Sequence, residues 1–316
     1  MYPTSFKSLG VAALLVATQW PAFGADVSTS ASVDAVLGRV WRCGPSVTLR
    51  SQALTREFET NACKSLGDIE QRFHALFGTS GKPVANDFND SLRANIYRSR
   101  DDYERYAGTH FNIPVDNGGM YLEGLPGKPG NQAEFIASQT PEGTIRNLEH
   151  EFVHFLDARF NLYGDFCRNL HDSHSPPENC PRPAPPTPYL VWWTEGVAEY
   201  VARGTDHPKA MAIARTKEFA LGELFDTGYE QKTGRTRVYT WGYLAVRFMM
   251  ENHRADIETM LSFTRVGDYP RYQAVVREWG SRYDGEFEAW LSRVASDAPA
   301  EHGGAHAAHH NQQRRT

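Results

Sequence analysis

Long apolar runs are almost missing from this sequence, and so are an excess of one charge and any wealth of cysteine. The one sustained apolar stretch, Leu9–Ala17, is too short to cross a bilayer. It follows Lys7 and precedes the small residues around Ala22-Phe23-Gly24, so residues 1–24 read as a signal peptide cleaved before Ala25. The expectation is an exported protein, secreted or periplasmic, with no membrane anchor after cleavage. Acids and bases nearly balance, with a net charge of −5, so no basic surface for nucleic acid is expected. Four cysteines lack any C-x-x-C spacing, which disfavours a cysteine-bound metal. An even count in an exported chain favours disulfides, and Cys43–Cys63 and Cys167–Cys180 each bracket a short segment. Each bridge is worth about 2–4 kcal/mol.

What is present centres on residues 144–164, TIRNLEHEFVHFLDARFNLYG. His150 and His154 stand four apart in H-E-x-x-H, and 3.6 residues per turn brings them to one helical face. Two imidazoles so placed can share one zinc ion, with Glu151 beside them as general base. Ile145, Leu148, Phe152, Phe155 and Leu156 recur at helical steps, with Thr144 as N-cap and Gly164 as stop.

Upstream, residues 26–85 read as mostly helical with loops. Ser91–Arg98, Met120-Tyr121-Leu122 and Glu134–Ser138 read as strands, and Arg100–Ala107 as a short helix. Strands followed by the histidine helix suggest a mixed sheet packed on that helix, an α+β fold. Gly118-Gly119 has two explanations, a turn needing positive φ or an edge strand that lets a substrate backbone approach.

A catalytic zinc needs a third ligand and an open position. The H-x-x-G-x-x-H continuation is excluded, because Asp157 and Phe160 occupy its places. Val191–Arg203, VWWTEGVAEYVAR, offers Glu195 and Glu199 on one helical face. Glu195 is the expected ligand and Glu199 the acceptor for a ligating histidine's other N–H. Gly196 is expected to let this helix approach the histidine helix. The intervening Asp165–Pro188 carries seven prolines and His171 and His174, which are either a second metal site or polar loop residues. Arg237–Glu251 reads as one long helix, with Tyr239 either an oxyanion donor or a core aromatic. Glu301–Thr316 reads as a disordered histidine-rich tail. The signal peptide and this tail leave residues 25–300 as the folded region.

HEFVHFLDARF, WWTEGVAEY and YTWGYLAVRFM, preceded by DNGGMYLEG, resemble the peptidase domain of the secreted bacterial collagenases over roughly residues 40–290. The resemblance implies a gluzincin fold, with a mixed-sheet upper lobe (25–164) ending in the zinc helix and a helical lower lobe (165–300). It implies one catalytic zinc on His150, His154 and Glu195, Glu151 as general base, and Tyr239 as the transition-state tyrosine. Gly118 and Gly119 would form the substrate edge strand. A structural calcium is also implied, on Glu123 and backbone carbonyls around Ala158, Phe160 and Leu162. The substrate implied is collagen- or gelatin-like peptide; a monomer is expected. Two departures stand out. The family usually places a helical activator domain before the peptidase and collagen-binding modules after it, and this chain has room for neither, so the resemblance does not carry attack on intact collagen over to it. The proline-rich loop also lengthens the gap between His154 and Glu195.

Overall fold

The computed structural model describes residues 31–165, 187–229 and 234–296. A short helix, α1 (Val33–Val36), leads into a hairpin of β1 (Arg39–Cys43) and β2 (Val47–Ser51). Along β2 every second residue is buried, so Val47, Leu49 and Ser51 face inward. Helix α2 (Arg56–Phe77) follows, capped by Thr55 at its start and by left-handed Gly78 at its end. Its buried stripe runs Ala62, Leu66, Ile69, Phe73, Phe77. The Cys43–Cys63 disulfide ties the hairpin to α2, as the cysteine spacing suggested. The hairpin corrects the expectation that residues 26–85 are mostly helical. Strand β1 lies on the sheet edge with its side chains largely outside, so no apolar alternation marked it.

Strand β3 (Leu92–Tyr97), helix α3 (Arg100–Phe111), β4 (Gly119–Leu122) and β5 (Ala133–Ser138) come next, where the sequence placed them. The five strands order as β1-β2-β3-β5-β4. The inner pairs β2/β3 and β3/β5 are parallel and the outer pairs antiparallel. Strands β3 and β5 are buried on both faces. One face packs with α2 and the later helices through Leu92, Ala94, Ile96, Phe135 and Ala137. The other packs with α3 through Tyr97, Tyr103, Ala107 and Ile136. The molecule is thus a mixed α+β fold with β4 at an open sheet edge.

Helix α4 (Leu148–Asn161) starts later than expected. Thr144 is not its cap. The chain first turns at Gly143 (φ 82°), where Thr140 and Thr144 pair through N–H···O (2.8 Å) and hydroxyl (2.9 Å) contacts. Ile145 bridges back to Gln139, so it too precedes the helix. Asn147, at φ 56°, makes the entry instead.

Beyond it lie α5 (Val191–Arg203), α6 (Pro208–Ile213) with a 3₁₀ turn, and α7 (Leu221–Phe225). A π-helical turn (Thr236–Trp241) then enters α8 (Gly242–Asn252), followed by α9 (Arg254–Thr264) and α10 (Tyr269–Ser296). Helix α5 is central, with Trp192, Trp193, Val197, Ala198 and Val201 fully enclosed. Gly196 does permit a close approach, but to a different partner than expected. A Cβ there would stand 2.4 Å from the Gly242 carbonyl oxygen on α8. Residues 1–24, Cys167, Cys180, His171, His174 and the tail from Glu301 lie outside the described residues. Among the described residues no helix is long and apolar enough to cross a membrane.

Candidate metal centre and active-site cleft

Helical spacing on α4 stacks His150 above His154, with ring centroids 4.7 Å apart and their Nε2 atoms 3.1 Å apart. From α5, Glu195 brings Oε2 to 3.1 Å from Nε2 of His150 and 3.5 Å from Nε2 of His154. Two donors bound to one zinc at its usual bond lengths lie about 3.3 Å apart in a tetrahedral set. The three observed separations bracket that value. Among the described residues this is the one group of at least three His, Cys, Asp or Glu with convergent ligand atoms. Two imidazoles and one carboxylate therefore fit a divalent ion and leave a fourth position open.

The surrounding charges hold this set in place. Glu199, one turn after Glu195, puts Oε1 3.1 Å from Nδ1 of His150, and its other oxygen meets Arg203. Burial works to lower the His150 pKa, but Glu195 and Glu199 lift it to about 10. Burial likewise works against Glu195 and Glu199, yet the two histidines hold Glu195 well below the usual carboxylate range, and His150 with Arg203 holds Glu199 at about 2. The negative field that keeps a proton on His150 is the field that attracts a cation. Asp157, one turn beyond His154, accepts from Trp193 Nε1 (3.0 Å) and Asn161 Nδ2 (2.7 Å), which ties α4 to α5. Burial raises its pKa to about 6 despite these donors.

Glu151 is buried beside the ligands and lines the cleft. Burial pushes its carboxyl above the ordinary range, against His150, His154 and the backbone N–H of Tyr121 on β4. The shift makes this carboxylate a readier proton acceptor than an exposed one. Tyr239, on the π-helical turn, has its ring 5.9 Å from that of His150. Glu195, burial and Glu151 together raise its phenol far above the ordinary value, so it keeps its proton and can donate a hydrogen bond.

The cleft has two adjoining hollows of about 260 and 220 Å³, and Gly119, His150, Glu151 and Tyr239 line both. The first adds Arg203, Lys209 and Arg235; the second adds Asp116, Glu195 and Tyr229. The two ends are therefore unlike in charge. Gly119, at φ 156°, begins the edge strand and pairs with Ala137, while Gly118 lies in the bend just before it. A Cβ on Gly119 would press on the Ile136 carbonyl oxygen at 3.1 Å.

Glu123 is buried just past β4, and its carbonyl accepts from Asn131 Nδ2 at 2.8 Å. Ala158 and Phe160, late in α4, and Leu162 just after it are buried too. Asn89 donates Nδ2 to the Glu123 carbonyl (3.2 Å) and accepts from Arg159 of α4 at its own carbonyl, which brings Glu123 near this end of the helix. Sequence periodicity held no sign of Tyr229, whose hydroxyl donates to Glu195 Oε1 from the loop after α7. Nor did it give a role to Asp157.

Comparison with known proteins agrees with this geometry. The collagenase family of peptidases, M9, matches residues 21–290. The microbial collagenase of Vibrio alginolyticus is 42% identical over 267 residues, 83% of this chain and 31% of that protein. The microbial collagenase of Vibrio vulnificus is 39% identical over 78% of this chain and 29% of its own length. Collagenase ColT of Clostridium tetani is 26% identical over 67% of this chain and 20% of its own length. The chain thus spans less than a third of the length of these relatives. Taken with the paired histidines of α4 and the carboxylate of α5, the match places the chain in the M9 collagenase peptidase family.

Proposed function

We propose that this chain is an exported zinc endopeptidase of gluzincin architecture that hydrolyses collagen- or gelatin-like peptides. The sheet with α2–α4 would be the upper lobe and α5–α10 the lower one. The observation that carries the reading is the convergence of His150, His154 and Glu195 beside a buried Glu151. Bound zinc would polarise the scissile carbonyl and lower the pKa of an attacking water towards about 7.

The protein's own groups would do the rest. Glu151 takes the proton of the attacking water and hands it to the leaving amine. The Tyr239 hydroxyl donates to the oxygen on which charge develops. Glu199 accepts from Nδ1–H of His150 and so fixes which ring nitrogen faces Glu195. The free edge of β4, which Gly118 leads into and Gly119 begins, pairs with the main chain of an extended peptide. An edge strand pairs with one extended chain at a time, which favours unwound, gelatin-like substrate over an intact triple helix. We also propose a structural calcium held by Glu123 and carbonyls of Ala158, Phe160 and Leu162, bracing the end of α4.

The test is hydrolysis of gelatin and of Gly-Pro-rich peptides by the purified protein. Activity should vanish with a chelator and return with added zinc. A protein that cuts equally well after complete metal removal ends the proposal.

A further inference from the structure

The two oxygens of Glu195 have different partners. Oε2 faces the two histidine Nε2 atoms, at 3.1 and 3.5 Å. Oε1 accepts a hydrogen bond from the hydroxyl of Tyr229. A carboxylate left to itself can turn both oxygens to a cation, and doing so here would close the open position the chemistry needs. Tyr229 approaches from the loop after α7, an element separate from both metal-bearing helices.

We propose that Tyr229 is a positioning residue for the metal. Holding Oε1, it leaves Oε2 alone to join the two imidazoles and keeps Glu195 a one-oxygen ligand. The role differs from that of Tyr239, which lines both halves of the cleft, whereas Tyr229 lines only the half that contains Glu195. The inference rests on the zinc reading above, and the experiment separates the two.

Wild-type protein, Tyr229→Phe and Tyr239→Phe are stripped of metal and titrated with zinc against a chromophoric chelator. Thermal unfolding of each stripped protein is recorded alongside. Removing a partner that orients a ligand typically weakens metal binding by about 10- to 100-fold. Tyr229→Phe should show that loss at an unchanged melting temperature, while Tyr239→Phe binds zinc like wild type. X-ray absorption at the zinc edge should show one carboxylate oxygen in wild type and two in Tyr229→Phe. A Tyr229→Phe affinity within twofold of wild type with unchanged coordination overturns the assignment. So does a stripped Tyr229→Phe that has lost its fold, because the role is then one of packing. Wild-type protein that binds no zinc refutes the zinc reading itself.

Discussion

Gly196 offers a test in which two effects of opposite sign can be weighed. Alanine is preferred over glycine inside a helix by about 1 kcal/mol, so Gly196→Ala on α5 would ordinarily stabilise. Here the added Cβ would sit 2.4 Å from the Gly242 carbonyl oxygen and 2.6 Å from Val246 Cγ2. The first of these is backbone, which cannot swing aside, so α5 and α8 must separate by about 1 Å to reach ordinary contact. Overpacking of this kind costs about 1–3 kcal/mol, occasionally more. With a backbone atom in the way we take the upper end of that cost, which less the helix-propensity gain leaves a net loss of about 2 kcal/mol, or roughly 4–8 °C in Tm for a domain of this size. Glu195 is the residue before Gly196, so the same shift should weaken zinc binding. Gly67 is the control. It is exposed on α2 with nothing within 4 Å of a built Cβ, and Gly67→Ala should gain about 0.5–1 kcal/mol. Calorimetry on both variants decides the matter. A Gly196→Ala protein at least as stable as wild type, beside a normal gain at Gly67, would show that the close approach of α5 and α8 is not what the glycine serves.

Glu151→Ala should keep its zinc and lose about 10²–10⁴ in kcat on a fluorogenic peptide, and full activity would remove Glu151 as the base. Tyr239→Phe should keep the fold and lower kcat by roughly ten- to a thousand-fold, so wild-type turnover would place the oxyanion donor elsewhere. Calcium should raise the Tm of wild type but not of Glu123→Gln; an equal rise in both would clear Glu123 of the calcium role. Burial raises Asp87 from 3.8 to about 6, against Arg159 and the N–H of Asn89. Between those values the folded protein keeps a proton that the unfolded chain releases, so this contribution to stability is present at low pH and fades as pH rises. Denaturant titrations from pH 4 to 6 should show a shallower decline for Asp87→Asn, and an identical slope contradicts the linkage.

The parts of the site that could be read from sequence are those with a repeating signal. His150 and His154, and then Glu195 and Glu199, declare themselves by the four-residue step of a helix, and all four meet in space. Strand β3 alternates apolar Leu92, Ala94 and Ile96 with Arg93 and Asn95 and was equally plain. Strand β1 was hidden because an exposed edge needs no alternation. Asn147 displaced Thr144 as the helix entry because a turn at Gly143 takes up Thr144 first, a tertiary outcome that capping preferences alone do not encode. Gly196 marked a close approach without saying to which helix. Tyr229 reaches Glu195 across 34 residues from a loop, where no periodicity exists to point at it.

The π-helical turn at Thr236–Trp241 has a further implication. Such turns carry a surplus residue relative to a regular helix. Excising Thr240 alone would let the helix regularise and swing the phenol at its start through about 100° around the axis, away from the cleft. Chain length in one turn, rather than any side chain, would then decide whether that hydroxyl faces a substrate, and an inert form of the protein could be made with every reacting group intact.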